Sequence, residues 1–146
     1  GELIDHIDGN TISEADHLFA TRLWQNNSKV HFDINAREDK KRLIYGGHII
    51  SLVRALSFNG LENAQMIVGI NGGTHANPVF AEDTIYCWSE VLDKIDLNER
   101  NIAALRLRSV GTKEKNHNMK VKNDDGRYLP DVVLDFDYWV LVPKEL

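Results

Sequence analysis

The spacing of hydrophobic positions divides this chain into a helical N-terminal part and a strand-rich remainder. From Ser13 to Trp24 apolar side chains recur about every 3.6 residues, which predicts a helix. Its apolar positions are Ala15, Leu18, Phe19, Leu23 and Trp24. Thr11 followed by Glu14 has the form of a capping box, so we expect Thr11 to be the N-cap of this helix.

A second helix is predicted after the glycine pair Gly46-Gly47, where the chain becomes almost continuously apolar. Arg54 is the only charged residue between Ile49 and Phe58. A helix that is apolar on every side is normally buried in the middle of its domain, so we expect burial here. Asn59-Gly60 then supplies a stop signal. The polar residues 33–42, which precede this helix, predict an exposed loop.

The rest of the chain shows the two-residue alternation of half-buried strands. The predicted strands are residues 64–71, 84–94, 102–110 and 132–142. We expect the first to end at Gly72-Gly73, and Asn123–Gly126 carries a strong turn signal. Two helices followed by antiparallel strands favour an α+β domain in which a curved sheet wraps around the buried helix. Such a sheet leaves an edge exposed, and pairing with a second copy or a sister domain would cover it.

Length and composition match one ordinary globular domain. The chain has 146 residues, of which 42% are hydrophobic and 27% charged. Its net charge of −5 argues against binding to nucleic acid, and no apolar stretch approaches the roughly 20 residues that span a bilayer. The single cysteine, Cys87, excludes an internal disulfide and is typical of a reducing compartment. We therefore expect a cytoplasmic protein without nucleic-acid or membrane partners.

Two segments carry the candidate chemistry. His31 lies between Val30 and Phe32 at the end of a polar loop, and an imidazole held by apolar neighbours can move protons near neutral pH. The alternative is a core histidine that is hydrogen-bonded to a backbone carbonyl. Gly47 opens the second helix, where a free backbone N–H can stabilise a developing oxyanion, although a tight helix entry alone would explain the glycine. Together the two segments favour proton transfer next to a carbonyl or a thioester.

The acidic partner that such a histidine would need is not obvious from the sequence. No carboxylate lies five residues before His31, where Asn26 stands. Asp33 could replace it, since in an extended segment its side chain would face the same way as that of His31, but a solvated loop acid is the simpler interpretation. No set of histidines and carboxylates has the spacing of metal ligands, so we predict no metal site. His75, which follows Gly72-Gly73-Thr74, is expected in a loop or on a rim.

Over nearly its whole length the chain resembles the MaoC-like, (R)-specific enoyl-CoA hydratase family of the hotdog fold. The segments that carry the resemblance are Val30–Phe32, Leu43–His48 and Asn77–Thr84. Two further segments, Ile44–Leu52 and Val132–Leu141, are similar to the mesaconyl-CoA hydratase group of that family. The resemblance implies a hotdog fold, with a long central helix wrapped by an antiparallel sheet of about five strands. Residues 1–146 would form one such domain, either alone or as one half of a double-hotdog protein.

The resemblance also implies an activity, a substrate and partners. Family members add water to, or remove it from, the double bond of an enoyl-CoA thioester, and here the substrate would be of the mesaconyl-CoA type. No cofactor is implied apart from the coenzyme A that the substrate carries. The implied partners are the acyl-CoA substrate and a second hotdog unit, in a homodimer, a higher homo-oligomer or a sister domain.

Site residues follow from the resemblance position by position. In the family an aspartate and a histidine five residues apart activate the water. The histidine corresponds to His31, whereas the aspartate corresponds to Asn26, which can orient a water but cannot take its proton. Gly47 retains the family's helix glycine, whose N–H would polarise the thioester carbonyl. The neighbouring residues predicted to contact substrate are Ser28, Tyr45, Gly46 and His48.

Because Asn26 replaces the aspartate, two other function classes stay open. The first is a non-catalytic acyl-CoA-binding or structural half, whose active dyad lies in a partner. The second is an acyl-CoA thioesterase, which generally needs a carboxylate or an activated water over the central helix. The first turns of that helix, Gly47 to Leu56, contain no acid. We therefore rank hydration first, the non-catalytic half second and thioester hydrolysis third.

Overall fold

The computed structural model describes residues 1–64, 66–98 and 101–144. Its strands are β1 (Leu3–Thr11), β2 (Met66–His75), β3 (Thr84–Asp96), β4 (Ile102–Thr112) and β5 (Val132–Pro143). Its helices are α1 (Glu14–Leu23), α2 (Gly46–Leu56) and α3 (Phe58–Leu61), and short 3-10 turns cover Lys29–His31 and Ile34–Ala36. The strands form one antiparallel sheet in the order β1-β3-β4-β5-β2. The α+β architecture predicted from the sequence is confirmed.

Helix α2 packs against the sheet and contacts β1, β3, β4 and β5. Ile49 and Val53, one turn apart, are its buried residues. Gly111 of β4 allows the helix to come this close, because a Cβ at that position would lie 2.7 Å from Val53 Cγ2. The core around the helix also contains Ile85, Cys87, Leu107, Leu134, Phe136 and Tyr138.

The prediction that α2 is buried on every side was wrong. Ser51 and Ala55 are exposed, because the sheet covers only one side of the helix. The helix also ends at Leu56, before the predicted stop at Asn59-Gly60. Asn59 and Gly60 instead lie inside the short, irregular helix α3, where Gly60 has a positive φ of 98°.

Strand β1 was not predicted, because its sequence lacks a regular apolar alternation. It pairs with β3 at one edge of the sheet. Its one fully buried residue is His6, whose ring is held by two hydrogen bonds. Nδ1 donates to the Asn59 carbonyl at 2.6 Å, which leaves Nε2 to accept from the Ser89 hydroxyl at 2.8 Å. A satisfied polar group therefore fills a core position that the hydrophobic pattern does not reveal.

The capping prediction for the first helix was also wrong. Thr11 ends β1, where its hydroxyl hydrogen-bonds that of Thr84 at 2.7 Å. Ser13 is the N-cap of α1, and its Oγ accepts from the Asp16 N–H at 3.1 Å. Pairing of the whole segment with β3 moves the helix start past Thr11.

Strand β2 forms the opposite edge of the sheet and runs further than predicted. It continues through Gly72-Gly73 to His75, since hydrogen bonding to β5 keeps the glycines in the strand. His75 is therefore the last residue of a strand and not part of a loop. The exposed apolar residues of β2 are Met66, Ile67, Val68 and Ile70. No helix in the described ranges is both long and apolar enough to cross a membrane.

The close approach of α2 to β4 makes a stability prediction. Gly111→Ala should lower the free energy of unfolding by about 1–3 kcal/mol, because the added methyl group overpacks the core against Val53. Gly72→Ala is the matched control, since no atom lies within 4 Å of a Cβ there. Urea denaturation measures both variants, and equal stabilities would contradict the proposed packing constraint.

Burial of His6 makes a prediction about pH. Burial lowers the pKa of this imidazole from its usual value of 6.5, so between the lowered pKa and about pH 6.5 the unfolded chain binds more protons than the folded one. The free energy of unfolding should therefore fall as the pH drops through this range. His6→Gln should reduce that dependence, whereas His117→Gln, at an exposed position, should leave it unchanged. Denaturation curves between about pH 7.5 and 5.5 test the prediction, and equal slopes for both variants would contradict it.

Candidate active site

The loop after α1 is shaped by its own polar groups. Gln25 has a positive φ of 53°, and the Asn26 N–H donates to the Thr21 carbonyl at 3.0 Å, which turns the chain back. The Asn26 side-chain oxygen then accepts from the Ser28 N–H at 2.9 Å. Such a local turn is what an asparagine commonly supports. It leads directly into the 3-10 turn that ends at His31.

His31 is half-buried and is held by a backbone carbonyl. Its Nδ1 lies 2.8 Å from the Leu43 oxygen, and because a carbonyl can only accept, Nδ1 carries the hydrogen. In the neutral ring Nε2 then has a free lone pair. The Leu43 N–H donates in turn to the Val30 carbonyl at 2.9 Å, so the two segments clamp each other. His31 therefore has the backbone hydrogen bond expected of a core histidine and also lines a cavity.

A cavity of about 400 Å³ opens beside His31. Its wall combines His31, the first residue of α2, Gly46, and the last residue of β2, His75. The remaining lining residues are Leu43, Ile44, Ile49, Ala76, Asn77, Pro78 and Val79. No acidic residue is among them. The site therefore offers imidazoles and backbone N–H groups in a mainly apolar setting.

The start of α2 faces this region with unused donors. Tyr45 is the N-cap residue and makes no side-chain capping bond. In the described part of the chain, the Gly46 and Gly47 N–H groups make no backbone hydrogen bond. The helix dipole adds a partial positive charge at this end. Such a terminus can stabilise an oxyanion.

A second cavity of about 270 Å³ lies beside Tyr45. It is lined by Trp24, Tyr45, Gly47, His48 and Ser51. The predicted site residues are thus divided: His31 and Gly46 share one cavity, while Tyr45, Gly47 and His48 line the other. Asn26 and Ser28 line neither of the two.

Two histidines near the site were not predicted to belong to it. His75 lines the His31 cavity, and partial burial lowers its pKa. His17 on α1 is fully buried close to His31 and His48. Within the described ranges, neither of its ring nitrogens makes a well-formed hydrogen bond, although the His31 backbone lies nearby. Burial lowers the pKa of His17, which keeps the ring neutral. The only sequence signal for His75 was its place just before the Asn77–Thr84 segment.

Other chemistry finds little support in the described residues. No group of three or more histidine, cysteine, aspartate or glutamate side chains within them could hold a metal ion. Cys87 is buried, and burial raises the pKa of its thiol to about 12, so it is not a nucleophile.

Two curated relatives match almost the entire chain. Mesaconyl-CoA hydratase of Cereibacter sphaeroides is 59% identical over 144 residues, which cover 99% of this chain and 42% of that protein. Beta-methylmalyl-CoA dehydratase of Chloroflexus aurantiacus is 54% identical over 149 residues, again covering 99% of this chain and 42% of the relative. The chain thus spans about two fifths of the length of each relative.

Two solved structures are also similar to the chain, one of them in fold alone. A MaoC domain dehydratase from Chloroflexus aurantiacus is 53% identical and superposes with a TM-score of 0.95, covering 100% of this chain and 43% of that one. A double-hotdog protein from Mycobacterium tuberculosis, only 16% identical, shares the fold with a TM-score of 0.68 over 99% of this chain and 42% of its own. No protein-family model matches the chain. The chain thus has the hotdog fold and is similar over its whole length to a MaoC domain dehydratase.

Proposed function

We propose that this chain supplies the proton-transfer site of a hydro-lyase, which adds water to, or removes it from, the double bond of an enoyl-CoA thioester. The observation that carries the proposal is the state of His31, whose Nδ1–H is bonded to the Leu43 carbonyl at 2.8 Å beside an apolar cavity. This bond selects the tautomer in which Nε2 can accept a proton. The hydratase and dehydratase names of the two relatives favour the same chemistry.

In the proposed hydration, His31 acts as a single base and acid. Its Nε2 takes a proton from water while the water oxygen bonds to the β-carbon of the substrate. The electrons of the double bond move toward the thioester, whose oxygen gains negative charge near the first N–H groups of α2. His31 then returns the proton to the α-carbon, so that the net change is addition of one water molecule. No cofactor is needed beyond the coenzyme A of the substrate.

Asn26 has a limited part in this scheme. Its side-chain oxygen already accepts from the Ser28 N–H, which leaves the amide N–H groups and one oxygen lone pair to orient a water. Asn26 also stabilises the turn that leads to His31. Gly47, which lines the second cavity, is proposed to donate its N–H to the thioester oxygen. Gly46 in the His31 cavity, Tyr45 and His48 in the second cavity, and Ser28 outside both are proposed to contact the acyl-CoA. We propose a mesaconyl-CoA-type acyl group, as the relatives' names suggest.

A second hotdog unit is proposed to complete the protein. The exposed apolar residues of β2 occupy an edge strand, which in a soluble protein is normally covered. The relatives are more than twice as long as the matched region, which fits a sister domain. We place the protein in the cytoplasm, in keeping with its single reduced cysteine.

Two observations favour a different function. The His31 cavity has no acidic lining residue, and Asn26 stands where the family has an aspartate. A non-catalytic half that binds acyl-CoA beside an active partner would have these features. Thioester hydrolysis has less support, because α2 carries no carboxylate.

Replacement of His31 tests the proposal. His31→Ala should lower kcat for hydration of mesaconyl-CoA or crotonyl-CoA by about 10²–10⁴-fold, because the proton-transfer group is lost. Loss of enoyl absorbance reports hydration, and parallel measurement of free thiol reports hydrolysis. His117→Ala, at an exposed position, is the control and should retain full activity. Acyl-CoA binding without either reaction in the unsubstituted chain would favour the non-catalytic half.

The proposed pairing surface makes a separate prediction. The 146-residue chain on its own should self-associate through β2, and Ile70→Asp, at a residue 64% exposed, should shift it to a monomer. Phe19→Asp, at a 68% exposed residue of α1, is the control and should not change the mass. Sedimentation velocity measures all three proteins. Equal masses for the Ile70 variant and the unsubstituted chain would contradict the role of β2.

A further inference from the structure

His75 approaches the start of α2 more closely than a side chain at position 46 would permit. A Cβ added to Gly46 would lie 2.6 Å from His75 Nε2, 3.0 Å from its Cε1 and 3.1 Å from its Cδ2. The glycine therefore makes room for the imidazole. Because His75 ends β2 and is paired with Leu134 of β5, the sheet sets the position of its backbone.

This placement puts two imidazoles and a helix terminus on one cavity. His31 and His75 come from separate elements, and Gly46 lies next to the His75 ring. A thioester whose reacting carbons lie beside His31 could place its carbonyl oxygen at the start of α2. His75 Nε2, which lies against Gly46, could then meet that oxygen.

We propose that His75 donates a hydrogen bond from Nε2–H to the thioester oxygen, so that its imidazole and the first N–H groups of α2 together form the oxyanion hole. This inference rests on the proposed hydration, to which it adds a catalytic residue. A side-chain donor aimed at the place where charge develops can supply a large part of a rate enhancement.

The charge state of His75 suits this role. Partial burial lowers its pKa, so the ring is neutral near pH 7. The positive end of the helix dipole also disfavours a cationic imidazolium beside Gly46. A neutral imidazole in such a position can polarise a carbonyl while keeping its own proton.

The division of labour explains how a cavity without a carboxylate could work. His31 takes a proton from water and later gives it to the α-carbon. The Nε2 proton of His75 stays in place and only strengthens its hydrogen bond as the enolate forms. No second acid or base is required, and the proton balance closes on His31 alone.

Absorption spectroscopy tests carbonyl polarisation without turnover. The probe is a 4-dimethylaminocinnamoyl thioester of coenzyme A, whose absorption shifts to longer wavelength when its carbonyl accepts hydrogen bonds. The unsubstituted chain should shift the probe, and His75→Ala should remove most of the shift. His75→Gln keeps an N–H donor and should retain part of it, whereas His117→Gln should have no effect.

Kinetics provide the second readout on the same proteins. Loss of one oxyanion donor should lower kcat by about 10²–10³-fold in His75→Ala, with a smaller change in KM. His31→Ala should lose hydration but keep the shift of the probe, which separates the two roles. Circular dichroism checks that each variant is folded. The His75 side chain is only partly covered by the protein, so both of its variants are suitable.

The outcomes separate this inference from the proposed function. A shift that depends on His75 in a chain that hydrates nothing would support the inference and overturn the proposed hydration. Hydration and a probe shift that both survive in His75→Ala would overturn the inference alone. An unsubstituted chain that does not shift the probe would overturn it as well.

Discussion

The close packing of α2 against its surroundings is the constraint on which the rest of the structure depends. At Gly111 only a glycine lets β4 lie against Val53 of the helix. At Gly46 the missing side chain leaves room for His75, and at Gly47 a Cβ would lie 2.6 Å from the Tyr45 ring. Three glycines thus set where the helix sits, and the helix start in turn defines the two cavities beside it.

The chemistry available in this setting is that of neutral imidazoles. Burial lowers the pKa values of His17, His48 and His75, because desolvation disfavours the charged ring. A hydrogen bond from His31 to the Leu43 carbonyl fixes its tautomer in the same region. Such groups bring no net charge into an apolar cavity before the reaction begins. In the proposed hydration, the positive charge that His31 gains with the proton is balanced by the negative charge that develops on the thioester oxygen.

The domain also exposes apolar surface away from this site. The sheet covers one side of α2 only, and β2 carries apolar residues on an unpaired edge. The relatives extend well beyond the matched region. A second unit that covered the β2 edge would bury these residues and extend the sheet by main-chain hydrogen bonds.

The sequence by itself determined the features whose signals are local along the chain. The glycine pair at the start of α2 and the starts of β3, β4 and β5 were predictable from spacing. Short segments carried the resemblance to MaoC-like hydratases, to which the two curated relatives also point. Only the tertiary structure decided that the segment around His6 is a strand, that α2 is exposed on one side, and that His75 joins His31 at a cavity. The physical reason is that periodicity reports which face of an element is apolar, whereas hydrogen bonds and close contacts between distant elements decide which polar side chains meet there.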